Sequence, residues 1–286
     1  KTAVHPIASI TKLMTGLISV DTINLFKMIP VSKDALAEQG ESAGLMEGET
    51  FKSEDYLYPL ILSSSNDVAR LYEREVWGFV DIMNQKARAI GLLQTRFEDA
   101  SGLSSENIST AEDLFKLLQF IDMHKNPIFT ISGVREIIMS SADGKKHHWA
   151  NVNWPREDAR FIGGKLGITN EARHAMAGVF KVKFSESDER PIAIIILRSP
   201  DHVSDVREIV SYLEKNFIFG LAAADTGCQK VGEGFEMVLV GTVCQKRRLF
   251  ALEAIHEHGG LAEALVKIDG VPDLMMKNLG NPRHVD

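Results

Sequence analysis

Two cysteines in 286 residues, Cys228 and Cys244, are too few for a disulfide framework, and neither belongs to a C-x-x-C pair. Free thiols are therefore the expectation for both. Long apolar runs are also missing. The longest, at 192–197 and 237–240, fall far short of the roughly 20 residues that a membrane-spanning helix needs. Basic residues are outnumbered 32 to 39, giving a net charge of −7, and no Lys/Arg stripe offers a footprint for phosphates. A nucleic-acid partner is excluded on that ground. The nine histidines contain no H-E-x-x-H pair, and His256 and His258 lie on an expected helix, pointing to different faces, so no metal is expected. Gly232-Glu233-Gly234 lacks the third glycine of a dinucleotide loop and the lysine of a phosphate-binding loop, so no nucleotide cofactor is implied either. Residues 1–7 carry neither the charged nor the apolar segment of a secretory signal.

What is present is an ordinary globular composition, 44% hydrophobic and 25% charged, with no repeat and no low-complexity linker. Ile10, Leu13, Met14, Leu17 and Ile18 recur at the spacing of one helical face, predicting a helix over 9–20. Further helices are expected at 55–62, 67–75, 79–90 and 111–124, the last with Thr110 as N-cap and Asp113 three residues on. The character then changes. Residues 161–169 read as a strand, 175–183 and 191–197 as a hairpin around the polar 185–189, and 203–216 as a helix. A helical block followed by a sheet and a covering helix is an α+β pattern. Beyond 220 the expected elements are a strand at 236–244 and helices at 247–258 and 261–266. The division expected is therefore a main domain over 1–219 and an appended region over 220–286.

Ser9-Ile10-Thr11-Lys12 places a hydroxyl and an amine about one helical turn apart on one face. A serine hydroxyl needs an adjacent base to act as a nucleophile, and a lysine serves as that base only when its pKa is lowered. The amide of Ser9, at the helix N-terminus, can also point at a developing oxyanion. S-x-x-K is common by itself, and helix capping beside a solvated lysine explains most occurrences. Two further elements change the weighing: Ser64-Ser65-Asn66 in a polar break between helices, which alone reads as a turn, and Gly164-Lys165-Leu166-Gly167-Ile168-Thr169 on the expected strand.

S-x-x-K, S-x-N and K-T-G in this order resemble the penicillin-binding proteins and class A β-lactamases. The flanking residues bring the resemblance closest to the D-alanyl-D-alanine carboxypeptidases of peptidase family S11. Pro6 to Thr15 is similar to that family's P-A-S-x-T-K-x-M-T, Ser64 to Ala69 to its S-x-N-D-A, and Gly91-Leu92, Thr95, Phe97 and Ser101-Gly102-Leu103 to its G-L-x-x-T-x-F…G-L segment. The resemblance spans about 6–217. Two look-alikes, Ser105-Glu106-Asn107 and Lys230-Val231-Gly232, lack this context and are read as chance matches.

The resemblance implies the fold of penicillin-recognising serine enzymes and an acyl-enzyme on Ser9, formed at the bond between the two terminal D-alanines of a peptidoglycan stem peptide. It implies Lys12 as base and Ser64 as proton relay. Asn66, Lys165, Gly167, Ile168 and Thr169 would bind substrate, with the amides of Ser9 and Ile168 facing the oxyanion and Lys165 helping to keep Lys12 neutral. β-Lactams would acylate the same serine, no cofactor would be needed, and the site of action would be extracytoplasmic. Leu166 departs from the family, whose threonine hydroxyl there helps to hold the substrate carboxylate; losing such a bond costs about 1.5–3 kcal/mol. Thr169 or Arg198 could compensate. A second departure is that the chain starts just before the nucleophile helix, where the family has strands that complete its sheet. The alternatives are a serine β-lactamase, disfavoured because no E-x-x-L-N segment is found, and a non-catalytic peptidoglycan- or penicillin-binding module.

Overall fold

A computed structural model describes residues 3–124, 127–155, 158–186 and 188–216, and the backbone of 250–257, 260–268 and 274–277. The elements run β1 (His5–Pro6), a 3₁₀ turn (Ala8–Ile10), α1 (Thr11–Thr22), β2 (Met28–Pro30), α2 (Lys33–Leu36), β3 (Thr50–Lys52), α3 (Ser53–Ile61), α4 (Asn66–Glu75) and α5 (Phe79–Ala89). They continue with β4 (Ile108–Ser109), α6 (Ala111–Met123), α7 (Pro127–Ser132), β5 (Glu136–Ser140), β6 (Lys146–Ala150), β7 (Phe161–Thr169), β8 (Arg173–Lys183), β9 (Glu189–Ser199), α8 (His202–Asn216), β10 (Phe250–Glu257), β11 (Gly260–Ile268) and β12 (Leu274–Lys277).

The main sheet has the order β12-β11-β10-β9-β8-β7, antiparallel except where β10 runs parallel to β9. Alternation along β8 and β9 explains how one sheet serves two cores. Ala175, Ala177, Val179, Ala193, Ile195 and Leu197 join the cluster shared with α1 and α3–α6, while Met176, Phe180, Val182, Ile192, Ile194 and Ile196 join a second cluster with Val206, Ile209, Val210 and Leu213 of α8. Because both faces are covered, these strands read as nearly continuous apolar runs rather than as an alternating pattern. The α+β class and the covering helix are as the sequence implies.

Local chemistry accounts for the helix starts. Ser65 Oγ accepts from the Val68 amide (3.1 Å) at α4, and Thr110 Oγ1 accepts from the Asp113 amide (3.2 Å) at α6. The Asp113 carboxylate does not complete a capping box; it turns to the Gln94 amide and the Thr95 hydroxyl instead. Gly16 lets α7 close on α1, since a Cβ there would lie 2.6 Å from Ile128 Cδ1.

The tail corrects the sequence reading. The helices expected at 247–258 and 261–266 are strands, β10 and β11, and His256 therefore sits on a strand. Short apolar runs do not distinguish the two states by period alone, and here main-chain pairing to the open edge of β9 decides. In the sequence, the Gly259-Gly260 pair is a turn signal that could have revealed it. The expected strand at 236–244, both cysteines and Lys230-Val231-Gly232 lie outside the described residues.

Candidate active site

Ser9 sits in the 3₁₀ turn that leads into α1, and the turn is clamped from two sides. On one side runs β7, where Gly167 pairs with Ala175; a Cβ at Gly167 would stand 2.6 Å from the Ile7 carbonyl oxygen and 2.8 Å from the Ser9 nitrogen. Only glycine allows the strand this close. On the other side is Gly102 at φ +88°, whose added Cβ would collide with the Ala8 carbonyl. Ala8 itself adopts φ +46°, a strained conformation for a residue with a Cβ. Asn107 closes the arrangement: its carbonyl accepts from the Ile7 amide (3.0 Å) and its Oδ1 from the Glu98 amide (3.0 Å). The asparagine that sequence reasoning set aside as a chance match is thus a buried prop of the turn that carries Ser9.

Lys12, in the first turn of α1, is wholly buried, and its Nζ has three partners: Ser9 Oγ at 3.0 Å, Asn66 Oδ1 at 2.6 Å and the Ser101 carbonyl at 2.6 Å. Burial lowers its pKa from 10.5 to about 7, against the opposing pull of Asp99, Glu41, Asp67 and Glu38. The geometry then fixes where the lone pair of the neutral amine must point. The Ser101 carbonyl can only accept, and the orientation of the Asn66 amide is set because its Nδ2 donates to the Gln39 carbonyl (2.7 Å), which turns Oδ1 to Lys12. Both N–H bonds of a neutral amine are taken by these acceptors, so its lone pair faces the Ser9 hydroxyl. That is the arrangement a general base requires.

Asn66 is held further by the 38–42 loop, since its amide donates to the Glu41 carbonyl (2.7 Å) and Gly40, at φ +86°, packs against its Nδ2. Ser64 lies in the break between α3 and α4, buried at 5% exposure and at φ +59°, another sterically costly conformation.

Strand alternation separates Lys165 from Leu166. Lys165 pairs with Ala177 of the helical-block side, and its buried Nζ donates to Asn153 Oδ1 (2.7 Å) and the Leu166 carbonyl (2.9 Å). Burial, then the nearby Lys12 charge, push its pKa well down. The fall in the Lys12 pKa traces to its own burial and not to the charge expected of Lys165. Leu166 pairs with Met176 and packs into the cluster under α8, which explains an apolar residue there. Ile168 is exposed at 53%, and the Thr169 hydroxyl accepts from the Ala172 amide (3.1 Å) within the β7–β8 turn.

The structure therefore brings Ser9, Lys12, Asn66 and Gly167 into one cluster and sets Lys165, through its charge, beside Lys12. Sequence reasoning missed Asn153, which also accepts from the Leu166 amide (3.1 Å), and it used Ser101 and Gly102 only as part of a family segment. Nothing in the residues around Asn153 signals its role. The positive-φ demand on Gly102 becomes visible only in three dimensions.

Comparisons with known proteins identify the family. Residues 1–196 match the D-alanyl-D-alanine carboxypeptidase family, peptidase S11. The chain is 28% identical over 237 residues to a D-alanyl-D-alanine endopeptidase of Pseudomonas aeruginosa, covering 77% of this chain and 73% of that one. It is similar to the crystal structure of a D-alanyl-D-alanine carboxypeptidase from Mycobacterium tuberculosis (TM-score 0.59, 25% identity, 66% of this chain and 72% of the other). In fold alone it also resembles the Streptomyces K15 DD-transpeptidase (TM-score 0.64, 23% identity, 74% and 88%). The chain belongs to the D-alanyl-D-alanine carboxypeptidase family, peptidase S11, and is a serine hydrolase with the fold of the penicillin-binding enzymes.

Proposed function

We propose that the protein removes the terminal D-alanine from peptidoglycan stem peptides through a Ser9 acyl-enzyme. The observation that carries this reading is the Lys12 amine, whose two fixed acceptors leave its lone pair to Ser9. In the step proposed, neutral Lys12 takes the Ser9 proton as Oγ attacks the carbonyl between the two D-alanines. The amides of Ser9 and Ile168 face the oxyanion. Collapse of that intermediate expels D-alanine as its amine receives a proton relayed by Ser64, and water then hydrolyses the ester. Asn66, Lys165, Gly167, Ile168 and Thr169 line the substrate's path, with Lys165 attracting its terminal carboxylate. A β-lactam enters the same chemistry and stays on Ser9. Such a substrate places the protein outside the cytoplasm, consistent with a family of cell-wall enzymes.

The Pseudomonas relative's name supports a second reading, cleavage of the cross-link between two stem peptides by the same serine. Incubation with a pentapeptide ending in D-Ala-D-Ala and with a cross-linked muropeptide dimer, followed by chromatography, separates the two. D-Alanine released from the pentapeptide by the intact chain and not by Ser9→Ala supports the carboxypeptidase. Dimer cleavage without D-alanine release establishes the endopeptidase instead. A stable Ser9 adduct with neither product leaves a binding module, and rapid turnover of a penicillin marks a β-lactamase.

A further inference from the structure

The turn beside the nucleophile is folded around one carboxylate. Asp99 is half-buried, and its Oδ1 accepts from the Ser101 amide (2.8 Å), the Ser101 hydroxyl (2.9 Å) and the Gly102 amide (2.5 Å), while its Oδ2 accepts from the Ser104 amide (2.7 Å). Four donors converge on one side chain, and the carbonyls they leave pointing the other way meet α1. Thr15 Oγ1 donates to Ala100 O (2.5 Å) and Lys12 Nζ to Ser101 O (2.6 Å), two side chains one turn apart on α1 gripping consecutive carbonyls. Within the same turn Gly102 abuts Ala8 and Ser9.

We propose that Asp99 is a positioning residue for the Ser9–Lys12 pair: it folds the 99–104 turn, which holds one of the two acceptors that orient the Lys12 amine and one of the two glycines that clamp the nucleophile. The inference rests on the acyl-enzyme reading above. It adds an electrostatic consequence. The charged groups facing Lys12 are Asp99 from this turn, Glu38 and Glu41 from the 38–42 loop, Asp67 from α4 and Lys165 from β7; among the carboxylates, Asp99 acts most strongly in favour of the protonated amine. Asp99 thus orders the base while holding back its deprotonation, and these two effects separate by substitution.

The experiment is the pH profile of Ser9 acylation by a fluorescent penicillin for the intact chain, Asp99→Asn and Asp99→Glu, with folding checked by circular dichroism. Asp99→Asn keeps an acceptor but loses the charge and the bond to the Ser104 amide. The expected result is a plateau lower by about tenfold or more and an acid limb moved down by about 1 pH unit. Asp99→Glu keeps the charge on a longer arm, so the plateau falls and the acid limb stays. Wild-type profiles for both folded variants overturn the proposal, as does labelling that falls only in proportion to the unfolded fraction with no movement of the limb in Asp99→Asn. Failure of the intact chain to label at Ser9 instead defeats the acyl-enzyme reading itself.

Discussion

The pH dependence of acylation follows directly from the burial of Lys12. With its pKa lowered from 10.5 to about 7, the amine is about one-tenth neutral at pH 6, half at pH 7 and nine-tenths at pH 8. An unburied lysine would be neutral in only about 3 molecules in 10,000 at pH 7, so burial raises the supply of base by on the order of a thousandfold. Pseudo-first-order labelling by a fluorescent penicillin, measured from pH 5 to 9, should climb about tenfold between pH 6 and 8 and level off above. The same shift carries a stability signature. Because the folded-state pKa lies below the unfolded one, the unfolded chain binds more protons between about pH 7 and 10.5, and stability rises with pH across that window. Below about pH 7 the cost is fully present, on the order of 5 kcal/mol for a group so deeply buried. A Lys12→Met variant should lose the acylation and the part of this rise in urea-unfolding free energy that Lys12 contributes, while the part due to buried Lys165 remains. A labelling rate that is flat from pH 5 to 9, or that climbs only above pH 9, refutes the assignment of Lys12 as base.

Gly102→Ala places a Cβ against the Ala8 carbonyl at φ +88°, so a loss of more than about 2 kcal/mol is expected together with loss of labelling, read by urea titration and gel fluorescence. Asn153→Ala removes the acceptor shared by the Lys165 amine and the Leu166 amide, and should cost about 2–3 kcal/mol and raise the KM for the pentapeptide, measured by D-alanine release. Leu166→Thr gives up packing under α8 on the face turned from Ser9, so it should lower the melting temperature through a loss of about 1–2 kcal/mol while leaving that KM unchanged. A tenfold fall in KM would instead show that a hydroxyl at this position reaches the substrate carboxylate.

The helical block and the β7–β9 sheet were legible because their cause is local. Helices expected at 67–75, 79–90 and 111–124 end within a residue of the observed α4, α5 and α6, and the strand expected at 161–169 is β7 itself. Their apolar spacing and caps act over a few residues, which a single sequence displays. The tail was not legible, because β10 owes its conformation to a partner, β9, about 60 residues earlier. The same division holds at the site. Ser9, in the turn that leads into α1, and Lys12, in the first turn of that helix, are three residues apart and could be paired from their spacing. Asn153 meets Lys165 across a strand and a loop, and Asp99 and Gly102 matter through the shape of a turn, so no pattern of residue types announced them.

The central claim is that Ser9 is the nucleophile and Lys12 its base. It is tested most directly by labelling the folded chain with a fluorescent penicillin at pH 8, digesting it and reading the adduct mass. The account predicts one adduct, on the peptide containing Ser9, absent from Ser9→Ala and lost from a folded Lys12→Met. An adduct elsewhere, or undiminished labelling of either variant, contradicts it.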